Sequence, residues 1–80
     1  MTLIELGKKL EEMYLNAQKG DKVTSIHLFG IKYNDTIKSN NYSVKEIIIH
    51  SKLPLTYQTE LSKGMKLSNF VTIKNSYLIS

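Results

Sequence analysis

Apolar side chains recur every three or four residues over positions 3–17, which is the spacing of one face of an α-helix. Thr2 and Glu5 have the spacing of a capping box, in which each side chain accepts a hydrogen bond from the other residue's backbone amide. We predict a helix that begins after Thr2 and stops at Lys19 and Gly20, since glycine suits the left-handed position after a helix. The residues on the apolar face are Leu3, Leu6, Leu10, Met13 and Ala17.

A second apolar tract covers residues 23–37 and follows Asp21, a residue that can cap a helix. Phe29, Ile31 and Tyr33 alternate with other residues, a pattern that a strand also shows. We favour a helix, because the tract is long and Gly30 is its lone turn signal. A glycine inside a helix costs about 1 kcal/mol relative to alanine, so Gly30 indicates that another helix packs closely against it.

The following turn signals predict two shorter helices. Residues 38–42 form a polar loop, Ser43 and Glu46 have capping-box spacing, and Pro54 ends the third helix. Thr56 is expected to cap a fourth helix from residue 57 to about residue 69. The weakly alternating tail, residues 71–80, suits a short strand, a partner-binding arm or a fraying end. The fourth helix is predicted to turn these residues inward: Tyr57, Leu61, Gly64 or Met65, and Phe70.

Together these elements predict an all-α fold: a small four-helix domain containing a helix-turn-helix-like hairpin over residues 43–70, with an irregular or short β C-terminal tail. Eighty residues suffice for one domain, so we expect a single helical domain over residues 1–80. The chain has no cysteine, no signal-peptide pattern and no apolar run long enough to cross a bilayer. A cytoplasmic protein without membrane contact is expected.

The chain carries a formal net charge of +4 from 11 lysines and no arginine. Beyond Lys22 the acidic residues are Asp35, Glu46 and Glu60, so the excess positive charge falls in the second part of the chain. A basic surface attracts polyanions such as nucleic acid, but it also simply keeps a small protein in solution. Lysine lacks the planar fork with which arginine reads guanine, so contact with double-stranded DNA would be phosphate-dominated and salt-dependent.

The predicted hairpin over residues 43–70 has apolar inner positions, a tight bend and a second helix with a short, polar and basic outer face. A helix that enters the major groove of DNA has these properties. We expect Lys63 and Lys66 to anchor phosphates and Gln58 and Thr59 to touch base edges. The full set of predicted nucleic-acid-binding residues is Thr56, Gln58, Thr59, Ser62, Lys63 and Lys66.

Two features of this hairpin depart from the usual pattern. Pro54 lies in the bend, where many such motifs have glycine, and Glu60 puts a repulsive charge on the presumed DNA face. The competing interpretation is a helical hairpin within a small bundle, with a solvated outer face and no nucleic-acid contact.

Residues that carry catalysis or bind metals are sparse. His27 and His50 have no histidine or carboxylate three or four residues later, so we predict no metal site. His27 is expected to be a core or half-buried polar residue bonded to the backbone. Glu11 and Glu12 are adjacent on a helix and therefore point in different directions. There is no nucleophile motif and no phosphate-binding loop. We expect no enzyme, no catalytic residue and no cofactor.

Three segments of the chain resemble a known family: residues 26–33 (IHLFGIKY), 43–47 (SVKEI) and 57–67 (YQTELSKGMKL). They are similar to a small bacterial HTH-like family whose members stand alone or occur near restriction and mobile-element genes. The resemblance covers about residues 3–73. It implies a helical domain linked to nucleic acid and transfers no catalytic residue.

Our first hypothesis is a DNA-binding or DNA-associated protein, monomeric or homodimeric, that acts in regulation or restriction-type defence. The alternative is a protein-interaction module, such as a phage or mobile-element adaptor or inhibitor, which binds a protein partner through its apolar tail and tyrosines. The tyrosines are spread along the chain, which predicts half-buried rings that brace a small core rather than a base-stacking platform. They are Tyr14, Tyr33, Tyr42, Tyr57 and Tyr77.

Overall fold

A computed structural model describes residues 1–71 and contains no strand in that range. The all-α, four-helix prediction is confirmed, and the strand alternative for residues 23–37 is wrong. The predicted tail falls, from residue 72 onward, outside the described residues. No helix within residues 1–71 is long and apolar enough to cross a membrane. The elements are α1 (Leu3–Asn16), α2 (Lys22–Ser39), α3 (Val44–Ser51), a 3-10 turn (Leu55–Tyr57) and α4 (Gln58–Leu67).

The predicted capping box starts α1. The Glu5 amide donates to Thr2 Oγ1 at 3.1 Å, and the Thr2 amide donates to Glu5 Oε1 at 2.7 Å. These bonds satisfy two amides that the first helical turn leaves without partners.

The predicted end of α1 is wrong, because the helix stops at Asn16. Lys22 Nζ donates to the carbonyls of Tyr14 at 2.9 Å and Leu15 at 3.1 Å, so a lysine from α2 satisfies the free carbonyls at this end. Gly20 has a φ of +97° but lies in the turn that follows, where it reverses the chain before α2.

Helix α2 begins as expected after Asp21, but the Asp21 side chain makes no capping hydrogen bond, contrary to the prediction. Its φ of −108° and ψ of 9° differ from the extended backbone that directs a capping side chain at the first turn. At the other end Asn41 is left-handed, with a φ of 55°. The amides of Tyr42 and Asn41 donate to the carbonyls of Ile37 at 3.0 Å and Lys38 at 3.1 Å, which is a Schellman motif.

Two pairs of helices make the most extensive contacts: α2 packs against α4, and α1 packs against α3. Glycines allow both pairs to approach closely. A Cβ at Gly30 would lie 2.7 Å from the Met65 amide nitrogen, and a Cβ at Gly7 would collide with His50. The prediction that Gly30 marks a close helix contact is confirmed. The fully buried apolar core consists of Leu6, Leu10, Ile26, Phe29, Ile37, Ile47, Ile48 and Leu61.

Candidate nucleic-acid interface

The bend between α3 and α4 is built around a left-handed residue. Lys52, which follows α3 directly, has a φ of 65°, the conformation for which glycine is favoured. Pro54, with a φ of −58° and a ψ of 141°, then leads into the 3-10 turn, and its carbonyl accepts from the Tyr57 amide at 3.1 Å. The position where glycine is usual is therefore Lys52, and Pro54 starts the second arm of the hairpin.

Ser51 holds this bend from inside the protein. Its side chain is fully buried. Its Oγ donates to the Ile48 carbonyl at 2.6 Å and accepts from the Leu53 amide at 3.1 Å. One hydroxyl thus satisfies two backbone groups where the regular hydrogen bonds of α3 end, and it fixes the direction in which the chain leaves the helix.

Thr56 does not cap α4 as predicted. It lies within the 3-10 turn, where the backbone is already helical, and Tyr57 takes the position before α4 without a side-chain cap. A capping threonine needs an extended backbone, which this turn removes. Thr56 is exposed at the surface beside the start of α4.

The outer face of α4 carries four of the predicted contact residues in one exposed stripe. Their spacing of three, one and three residues keeps them on the same side of the helix. Gln58 is half-buried, and its Nε2 donates to the Leu55 carbonyl at 3.2 Å. The opposite face is buried at Leu61 and Gly64, as predicted. The residues of the exposed stripe are Thr59, Ser62, Lys63 and Lys66.

Phe70 is not a core residue, contrary to the prediction. Helix α4 ends at Leu67, about two residues earlier than expected. Phe70 therefore lies beyond the helix, and the helical repeat does not direct its side chain toward the core. Its side chain is 83% exposed, next to Leu67 at 40% and Val71 at 44%. The end of α4 therefore presents apolar side chains to solvent.

A side-chain cluster joins α2 to the exposed stripe of α4. His27 Nε2 lies 2.7 Å from Glu60 Oε1 and donates to it, because an ionised carboxylate only accepts. Lys63 Nζ lies 3.5 Å from Glu60 Oε2. The hydrogen bond from His27 holds the pKa of the Glu60 carboxyl below its ordinary value, with Lys63 adding to the effect and partial burial opposing it.

This cluster corrects two expectations. His27 is half-buried, as expected, but it is bonded to a side chain and not to the backbone. The Glu60 carboxylate is paired on both oxygens and is not a free negative charge on the outer face of α4. Gly30 indicated that α2 has a close neighbour, but nothing in the sequence identified the neighbour as the helix carrying Glu60.

A second link that sequence reasoning missed fixes the start of α4. The hydroxyls of Tyr14 and Tyr57 lie 2.9 Å apart, and their ring centroids are separated by 5.4 Å. The prediction of half-buried tyrosines is confirmed for four of the five, and Tyr77 lies outside the described residues. Helix α1 thus braces the 3-10 turn that leads into α4.

The best-defined depression on the part of the chain that the structure describes lies away from the stripe. Among residues 1–71, no group of three or more histidine, cysteine, aspartate or glutamate side chains is placed to hold a metal ion. An open depression of about 710 Å³ lies between the end of α1 and the start of α2, lined by Met13, Ala17 and Leu28 among others. None of the six predicted contact residues lines it.

Two helices joined by a left-handed bend, the second with an exposed polar and lysine-bearing face, define a helix-turn-helix-like arrangement. A family model described as HTH-like domain matches residues 2–74, and the chain belongs to this family. No curated protein and no solved structure matches the chain.

Proposed function

We propose that the protein binds double-stranded DNA, with residues 43–70 as its helix-turn-helix-like unit and the outer face of α4 against the major groove. Family membership indicates DNA binding as the general class of function. The observation that carries the more specific proposal is the exposed stripe of Thr59, Ser62, Lys63 and Lys66 on α4. Short polar side chains at its start leave room for base edges, and the two lysines lie where they can reach phosphates.

The six predicted contact residues contribute unequally in this proposal. Lys63 and Lys66 neutralise phosphates, and each phosphate neutralised adds about 0.9 to the slope of log affinity against log salt. The Gln58 amide nitrogen is already engaged by the Leu55 carbonyl, so base contact falls mainly to Thr59 and Ser62. Thr56, which is exposed in the 3-10 turn before α4, would contact the DNA backbone. We expect weak, strongly salt-dependent binding, with a Kd of about 10⁻⁴–10⁻⁶ M.

The test is a fluorescence-anisotropy titration of a short labelled duplex at low and moderate salt, about 50 and 200 mM. We expect wild-type binding that weakens steeply with salt. Lys63→Glu with Lys66→Glu should abolish binding and leave the helical circular-dichroism signal unchanged. Lys8→Glu with Lys19→Glu, exposed residues of α1 and of the turn after it, changes the net charge equally and should leave most of the affinity. No wild-type binding at either salt concentration, or equal losses in the two double variants, would contradict the proposal.

The proposal also covers the biological role of the protein and the number of protein copies that bind one duplex. The resemblance to stand-alone proteins near restriction and mobile-element genes suggests regulation or restriction-type defence in a bacterial cytoplasm, and a binding role without catalysis. A homodimer would bind two half-sites about 34–36 Å apart. Light scattering of the protein with duplexes of one and two half-site lengths distinguishes one copy per duplex from two.

Phe70 favours a second candidate, a protein-interaction module that acts without nucleic acid. Its side chain is 83% exposed beside Leu67 and Val71, and large exposed apolar side chains grouped in this way often mark contact surfaces. Phe70→Ser, compared with wild type by size-exclusion chromatography with light scattering, tests it. A self-association that the substitution removes, with no response to DNA, supports this candidate, and DNA binding by the wild-type protein contradicts it.

A further inference from the structure

The His27–Glu60–Lys63 cluster ties one lysine of the exposed stripe to a titratable residue of another helix. His27 belongs to α2, and Glu60 and Lys63 belong to α4, with Glu60 between the other two. The side chains of His27 and Glu60 are 28% and 24% exposed, whereas that of Lys63 is 60% exposed. A proton gained by the partly buried His27 therefore changes the net positive charge that the cluster presents to solvent at Lys63.

We propose that His27 is a positioning residue of the DNA-binding face, which controls through Glu60 how strongly Lys63 attracts phosphate. This inference rests on the proposed function and extends it. His27 touches no DNA in this scheme. It acts by sharing the Glu60 carboxylate with Lys63.

The charges follow from the geometry. When the imidazole is neutral, Nε2–H still donates to Glu60, but the negative charge of Glu60 is compensated by Lys63 alone, and the cluster has no net charge. When the imidazole gains a second proton, it compensates Glu60 itself at 2.7 Å, and the charge of Lys63 becomes available to a phosphate. DNA affinity therefore rises as the pH falls through the range in which histidine is protonated.

Few charged groups act on this cluster. Within residues 1–71, the charges that influence Glu60 come from His27 of α2 and Lys63 of α4. The His27 ring nitrogen Nε2 lies 2.7 Å from the Glu60 carboxylate. The chain's other histidine, His50, is exposed on α3, and its backbone and Cβ pack against Gly7 of α1. Because His50 lies outside the cluster and has the same side chain as His27, it provides a matched control.

The experiment measures DNA affinity by anisotropy at about pH 7.5 and pH 5.5, which bracket histidine protonation, at one low salt concentration. Binding of one proton changes affinity by at most tenfold per pH unit, so we expect wild type to bind about three- to tenfold more tightly at the lower pH. His27→Gln, which keeps a hydrogen-bond donor, should remove this difference. His50→Gln, which keeps the Cβ against Gly7, should retain it.

A second pair of variants tests the route through Glu60. Glu60→Gln should bind more tightly than wild type at about pH 7.5 and lose most of the pH response, whereas Glu11→Gln on α1 changes the net charge equally and should do neither. Circular dichroism confirms that each variant is folded. If the wild-type protein binds DNA and the pH dependence of its affinity persists in His27→Gln or Glu60→Gln, the role of His27 is wrong, while the proposal of DNA binding stands. No wild-type binding at either pH overturns the proposed function and this inference with it.

Discussion

The backbone of Gly30 in α2 lies against the backbone of Gly64 in α4, so that a Cβ at Gly30 would come 2.9 Å from the Gly64 carbonyl carbon. The same Cβ would lie 2.8 Å from the Leu61 carbonyl oxygen. These neighbours are backbone atoms, which no side-chain rotation can move aside. The contact sets the distance at which α4, with its exposed stripe, is held to the rest of the protein.

Gly30→Ala should destabilise the protein even though alanine favours helices. Overpacking against fixed atoms costs about 3 kcal/mol, and the gain in helix propensity is about 1 kcal/mol, so we expect a net loss of about 2 kcal/mol. Urea denaturation measures it. Thr24→Ala, at an exposed position of the same helix, should stay within about 0.5 kcal/mol of wild type. A Gly30→Ala protein as stable as wild type would show that α2 and α4 are packed less closely.

Ser51→Ala should weaken the bend between α3 and α4. It leaves the partly buried Leu53 amide without its Oγ acceptor, and the loss of a hydrogen bond of this kind costs about 1 kcal/mol. Thermal and urea unfolding measure the loss. Ser62→Ala, an exposed serine on α4, makes the same chemical change and should be close to neutral. Equal effects in the two variants would refute the role given to the Ser51 hydroxyl.

Tyr14→Phe should loosen the attachment of the 3-10 turn and change the titration of Tyr57. The hydrogen bond with Tyr14, followed by burial, raises the pKa of Tyr57, so the neutral phenol is favoured in the folded protein. Its stabilising contribution is present below the unfolded pKa and is lost as the pH rises through the folded pKa.

In Tyr14→Phe we expect the pKa of Tyr57 to fall toward its ordinary value of 10.0 and the midpoint of thermal unfolding to drop by about 5 °C. NMR with labelled tyrosine follows the titration. Tyr42→Phe, whose hydroxyl bonds the Met1 carbonyl instead, should leave the Tyr57 titration unchanged. An unchanged pKa of Tyr57 in Tyr14→Phe would count against the hydrogen bond between the two hydroxyls.

Acid should weaken the fold partly through Glu60. Because the pKa of its carboxyl is lowered in the folded state, chiefly by the His27 hydrogen bond, its contribution is present above the ordinary value of 4.5 and is lost as the pH falls through the lower, folded value. Glu60→Gln should therefore lose less stability than wild type over that acid range. Urea midpoints measured as a function of pH provide the comparison, with Glu11→Gln as the control that should follow wild type.

Local signals in the sequence were sufficient for most of the secondary structure. The capping box of Thr2 and Glu5, Ser43 before α3 and the lone Gly30 each act over a few residues, so their structural meaning is contained in a short stretch of chain. The exposed stripe of α4 follows from helical periodicity alone. The sequence also indicated the family, and residues 2–74 match it.

The errors arose where a distant residue competes with a local signal. Lys22 donates to free carbonyls at the end of α1, and this helix ends at Asn16, before Gly20. A 3-10 turn after Pro54 removes the extended backbone that Thr56 would need to cap α4. The pairing of His27 with Glu60, 33 residues apart, depends on how α2 and α4 face each other, which no short pattern encodes.

Because α1 pairs with α3 and α2 pairs with α4, the hairpin of residues 43–70 cannot fold when it is separated from the rest of the protein. Its two helices bury their apolar faces mainly on the first half of the chain rather than on each other. A synthetic peptide of residues 43–70 would expose Ile47, Ile48 and Leu61 to water, and helices as short as α3 and α4 do not persist alone. A redesign of the binding surface must therefore keep all four helices and replace only the exposed side chains of α4.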